Sequence, residues 1–262
     1  MRDQPSTSGM RISAHRPGPR AWLLMVGCEA KMIARDTAGL VVPIGLPLLI
    51  LVMSASSASD EVVANGRTAL DVFVLPLVLT IVIATIGIIN MPSFLAYYRR
   101  TGILRRLAVT PASPVMVLLA QVVVSVIQAI IGITAALAVA VLAFDAGPPT
   151  HLATALGVLV LAMAAMYSVG MIITAVAPTP NSAVAIGLVA FFALGALGGM
   201  FGGRQALPAA VATVGEWLPF GASVEALAAA WAGAATDPAH LVSLGATTVV
   251  GCAVAGILFR WE

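Results

Sequence analysis

Four arginines, Arg99, Arg100, Arg105 and Arg106, crowd into the segment Phe94-Leu-Ala-Tyr-Tyr-Arg-Arg-Thr-Gly-Ile-Leu-Arg-Arg-Leu-Ala-Val-Thr-Pro-Ala-Ser-Pro114. On a helix they give a basic face, Ile103, Leu104 and Leu107 give an apolar one, and Pro111 with Pro114 ends the helix. Such a surface either anchors the chain to anionic lipid or docks a cytoplasmic partner, and the residue types suit both. The other reactive side chains point away from catalysis. His15, His151 and His240 are scattered without the spacing of a metal site. A phosphate-binding loop needs Gly-Lys-Ser/Thr, yet the one lysine, Lys31, stands between Ala30 and Met32. Cys28 and Cys252 read as free small residues. Neither a metal nor a nucleic-acid partner is expected.

The elements that must position the arginine cluster are set by composition. Hydrophobic residues make up 60% of the 262 positions and charged residues 9%, against about 25% charged in a soluble domain. Mean hydropathy is +1.05. There are too few charges to cover a water-exposed surface, so the bilayer is the solvent for most of the chain.

A spanning helix needs about 20 mainly apolar residues. Six segments qualify, over about 38–55, 70–90, 115–144, 152–177, 183–201 and 241–259. The basic residues orient them. With the N-terminus inside, Arg2, Arg11, Arg16, Arg20, Lys31, Arg35, Arg99, Arg100, Arg105, Arg106 and Arg260 lie on the inner side, and only Arg67 and Arg204 lie outside. The small residues Ser56-Ser57-Ala58 would suit a peptidase if the first run were a cleavable signal. Removing that run would leave five spans and upset the charge asymmetry. Residues 1–20 read as a disordered cytoplasmic tail and 21–262 as one transmembrane domain. Within it, residues 21–35 have an apolar side of Trp22, Leu23, Val26 and Ile33, with Glu29, Lys31, Arg35 and Asp36 expected to stay in water, which suits a helix lying in the interface. The expected fold class is an all-α integral membrane protein of six spans with both termini cytoplasmic.

Ionisable groups are missing from the centres of these spans. Asp71 and Asp145 sit at outer ends, and the interior polar groups are neutral, among them Gln121, Gln128, Tyr167, Ser168 and Thr174. Proton relays and ion coupling need titratable groups at membrane depth, which argues against a self-contained secondary transporter. Gln121 and Gln128, two turns apart, share a face. Together with Tyr167 they are candidates for a translocation path, or they bond to a neighbouring helix. Gly195, Gly198, Gly199, Gly202 and Gly203 read as close helix packing rather than as a break.

The arginine segment carries a resemblance. A Gly, then Leu-Arg-Arg-Leu, then Thr-Pro and a small residue before a long apolar helix resembles the cytoplasmic loop of type 2 ABC exporter permeases, the group that includes daunorubicin-type drug exporters. Leu207-Pro208, Trp217-Leu-Pro-Phe220 and Glu225-Ala-Leu227 resemble that family's partly inserted outer hairpin before the last span. The chain departs from the family where an acidic residue often precedes the loop glycine: Tyr97-Tyr98-Arg99-Arg100-Thr101 stands there instead.

The resemblance implies a permease of the plasma membrane that exports an amphiphilic, drug- or lipid-like substrate. It implies a partnership with a dimer of separate ABC ATPase subunits, which would bind the ATP and magnesium, and with a second copy of itself or a similar permease, all in contact with membrane lipid. It assigns coupling to Arg99, Arg100, Gly102, Ile103, Leu104, Arg105, Arg106, Leu107, Thr110 and Pro111, with residues 21–35 as the connecting helix. It makes Pro208, Glu216, Trp217, Pro219 and Glu225 part of the outer hairpin that closes the exit. A non-transporting membrane scaffold is the alternative of another class; it predicts no ATPase stimulation by any substrate.

Overall fold

The computed structural model describes residues 18–58, 62–102 and 114–258. The expected tail up to residue 17 and the coupling residues Ile103, Leu104, Arg105, Arg106, Leu107, Thr110 and Pro111 lie outside them. Among the described residues six helices are long and apolar enough to cross a membrane.

Helix α1 (Pro19–Arg35) precedes the first span and places Glu29 and Ile33 against the body of the protein. Asp36 then ends α1 and starts α2 (Thr37–Ser57), its carboxylate accepting hydrogen bonds from the Ala38 and Gly39 amides at 3.1 Å each. This is a helix N-cap, worth about 1 kcal/mol. A two-stranded hairpin follows, β1 (Val62–Ala64) and β2 (Arg67–Thr68), turned by Asn65 at φ 47° and Gly66 at φ 77°. The sequence reading did not anticipate it, although Asn-Gly between short extended runs is the standard signal for a tight hairpin turn.

The second span, α3, runs as one helix over Leu70–Arg100, ten residues past the expected end. Two widened π-helical stretches, Leu70–Val74 and Thr85–Asn90, interrupt its α-helical ladder. Each lies just ahead of a proline, Pro76 and Pro92. A proline has no N–H for the ladder and its ring crowds the preceding turn. The wider turns supply the local adjustment that lets a spanning helix carry such residues.

The remaining spans are α4 (Pro114–Phe144), α5 (Leu152–Val176), α6 (Pro180–Leu197) and α9 (Pro238–Leu258). Helix α6 starts three residues earlier than expected, on a capping box formed by Thr179 and Ser182. It also ends four residues earlier. Gly199, Gly202 and Gly203 take φ of 85°, 130° and 77° and form the turn that terminates the span, whereas Gly198 has the close packing read from the sequence, a Cβ there standing 2.7 Å from the Phe220 ring and 2.9 Å from the Gly221 amide nitrogen. Two short helices, α7 (Ala209–Glu216) and α8 (Pro219–Ala232), then form the outer hairpin before α9.

Helix α3 is the centre of the bundle. Its most apolar window is 78% buried, against 22–50% for the other five spans. Helix α8 packs on α3, α5 and α9 and buries Phe220, Leu227 and Trp231. Backbones meet closely around the second π-helical stretch of α3. A Cβ on Gly170 of α5 would strike the Gly87 carbonyl oxygen, and one on Gly187 of α6 would stand 2.5 Å from that of Ile88. Close approach of this kind is how small residues hold spanning helices together.

Candidate functional site

Chemistry-bearing side chains collect at three levels. At the arginine-rich side, taken as inner by the charge rule, α3 ends in Tyr97-Tyr98-Arg99-Arg100, and Gly102 at φ 67° turns the chain away. The two side chains before that turn are tied to other helices. The Tyr98 hydroxyl donates to the Glu29 carboxylate of α1 at 2.6 Å, both residues being buried. Burial raises the pKa of the Glu29 carboxyl above the ordinary glutamate value, with the Tyr98 hydrogen bond opposing the shift. The Arg99 guanidinium donates to the Thr174 carbonyl at 2.7 Å, in the last turn of α5. A cation there satisfies terminal carbonyls and complements the negative end of the helix dipole. Sequence reasoning named Arg99, missed the role of Tyr98 and expected Glu29 in water, whereas the structure buries it against Tyr98. The available signal was one acid on the otherwise basic α1.

Beyond these anchors, around the first turn of α2, the neutral polar groups bond between helices. Asn90 of α3 donates to the Gly39 carbonyl at 2.9 Å and to the Gln128 side-chain oxygen at 3.0 Å, while the Gln128 amide donates to the same Gly39 carbonyl at 2.7 Å. Helices α2, α3 and α4 therefore share one polar knot. Tyr167 of α5 donates to the Ser125 carbonyl of α4 at 2.9 Å. Gln121 is fully buried, on the same face of α4 as Val124, which packs with Ile33 of α1 and Phe94 of α3. Among the described residues its side-chain amide has no partner. Asn90, not singled out in the sequence, bonds to both other members of the knot.

At the outer side, Arg204 stands in the turn between α6 and α7 and pairs with Glu216 of α7 and, at 3.6 Å, with Glu225 of α8. The structure thus joins two of the hairpin residues singled out in the sequence through an arginine that was not. Pro208 is the N-cap of α7 and Pro219 opens α8. Trp217 is half exposed at the corner between them, its carbonyl accepting from Ser243 of α9 at 2.6 Å. A cavity of about 770 Å³ opens beside the triad, between the end of α2, the start of α3 and the glycine turn. A separate mesh ties the β-hairpin to the 145–151 loop and the end of α8. Asp71 accepts from the Gly147 amide at 2.9 Å, Arg67 donates to Thr150 at 3.1 Å, and Asn65 donates to the Ala232 carbonyl at 2.8 Å.

Residues 20–231 match the ABC-2 type transporter family. No curated protein matches the chain. Permease domains of this family work with a cytoplasmic ABC ATPase, generally as dimers. With the match covering most of its length and six spanning helices in place, the chain belongs to the ABC-2 type transporter family and is a multi-pass permease component of an ABC-type transporter, not itself the catalytic subunit.

Proposed function

We propose that the chain is an exporter permease of the plasma membrane that pairs with a second copy or a similar permease and binds a dimer of a separate ATPase. ATP and magnesium bind the partner, and the cycle shifts the paired permeases between inward-open and outward-open states. The observation that carries this reading is the anchoring of α3 immediately before residues 103–113. Tyr98 holds α1 and Arg99 holds the end of α5, so a displacement of the arginine-rich segment reaches three helices at once. Outward transport of an amphiphilic molecule rests on the family resemblance and on a bundle whose interior polar groups are neutral.

The test is ATPase activity of the chain co-expressed with its neighbouring ATPase and reconstituted in lipid. Intact permease is expected to stimulate hydrolysis, and the Arg105→Glu, Leu107→Ala double variant to insert normally but lose stimulation and transport. Normal transport by that variant would remove the coupling assignment. Failure of the intact chain to associate with any ATPase would favour the scaffold.

A further inference from the structure

The outer cavity has a built polarity. Its deeper wall is Phe73, Val74 and Leu77 of α3 with Met200 of the glycine turn, and its rim carries Arg204 and Glu225. Leu77 lies two turns inside the start of α3 at Leu70, about 10 Å along the helix, so the apolar wall reaches into the outer leaflet while the charges stay near its surface. Gly199, Gly202 and Gly203 hold the remaining side with backbone conformations that favour glycine and add no side chain to the space. At about 770 Å³ the cavity is within the range of small-molecule sites.

Charge selects among occupants. Among the described residues Arg204 is the one cation lining the cavity, and it is already shared between Glu216 and Glu225, which leaves the triad with a net charge of −1. An anionic headgroup would compete with two carboxylates for one guanidinium. A cationic group meets the opposite situation, because Glu225 is partly exposed at the cavity and its contact with Arg204 is the looser of the two. We infer that this cavity is an outer-leaflet binding site for a cationic amphiphile, with Glu225 as its counter-charge and Phe73, Leu77 and Met200 receiving the apolar part. The inference rests on the exporter reading for its place in transport, where it would hold a positively charged molecule on the exit side, but the binding itself needs no ATPase.

Equilibrium binding to the full chain in dodecyl maltoside micelles, which carry no ammonium group, tests it with two ions matched in size and shape, tetraphenylphosphonium and tetraphenylborate. The cation is expected to bind saturably and the anion only to partition. Glu225→Gln should weaken cation binding roughly fivefold, the loss expected for one partly exposed charge pair. Ala209→Trp, which fills the cavity from the exposed start of α7, should abolish saturation. Equal saturable binding of both ions, absence of saturable cation binding, or cation binding unchanged in both variants would overturn the proposal. Adding phosphatidylethanolamine sorts the source of the cation while keeping the site: competition identifies a lipid ammonium headgroup as occupant, and no competition identifies a free amphiphile. Because the readout is binding to the permease alone, its failure is distinct from a failure of ATPase stimulation.

Discussion

At the scale of single residues, the junction between α1 and α3 turns on one buried acid. Glu29 keeps its hydrogen bond to Tyr98 whether or not it is ionised, but its charged form is the costly one, since burial is the larger cause of its raised pKa. For a carboxyl raised in the folded state, the stability it contributes is fully present below its ordinary pKa. That stability is lost as pH climbs through the raised folded value. Docking of α1 should therefore tighten as pH falls from 7 toward the ordinary glutamate range. Glu29→Gln should flatten this dependence, which hydrogen exchange of the α1 amides, corrected for intrinsic rate, would follow. Tyr98→Phe leaves a buried carboxyl without its donor and should loosen α1 by about 1–3 kcal/mol, read in the same experiment at pH 7. In the polar knot at the first turn of α2, Asn90→Ala and Gln128→Ala should each cost about 0.6–1.7 kcal/mol. Because the two share the Gly39 carbonyl and each other, the double variant should cost clearly less than the sum in a reversible unfolding assay; strict additivity would show that the knot does not act as a unit.

At the scale of elements, α3 owes its unbroken length to two π-helical stretches, and its position to glycines on its neighbours. Gly170 and Gly187 admit the carbonyls of Gly87 and Ile88, which lie in the second of those stretches. A methyl at either site has backbone, not a movable side chain, in its way. Gly170→Ala and Gly187→Ala should each destabilise by about 1–3 kcal/mol, the usual range for overpacking. Gly157→Ala, with open space around its Cβ position, is the control expected to leave the melting temperature in nanodiscs unchanged. Loss of stability in the control alone would contradict this account. The outer hairpin follows the same logic of contact before propensity. Helix α8 is only 14 residues long, too short to span, and is held by burial of Phe220, Leu227 and Trp231 and by the mesh through Gly147 and Thr150.

At the scale of the whole molecule, burial is unevenly shared. With α3 enclosed and α2, α6 and α9 showing most of their surface, the bundle leaves the apolar faces of those three helices uncovered. Global hydrogen exchange should show the α3 amides from Leu75 to Ala84 as the slowest class, exchanging only on full unfolding, while α2 and α9 exchange earlier through local opening. Uniform protection across the six spans would contradict a central α3.

Much of this was readable from residue types. Six apolar runs follow from transfer free energies that depend on local composition, so sequence reading located every span to within a few residues except the end of α3. That helix passes residue 90 because Met91–Arg100 continues on contacts with α5 and α6, which no local pattern displays. The same limit applies to Glu29 with Tyr98, 69 residues apart, and to Arg204 between Glu216 and Glu225. By itself the sequence determined the membrane class, the number of spans and the segment on which the family resemblance rests. Only the tertiary structure decided which polar groups bond one another, that Gly199, Gly202 and Gly203 form a turn, and that a charged rim borders an apolar cavity. Those outcomes depend on which faces of distant helices meet, and a solvent as apolar as the side chains themselves leaves few traces of that choice in hydrophobic periodicity.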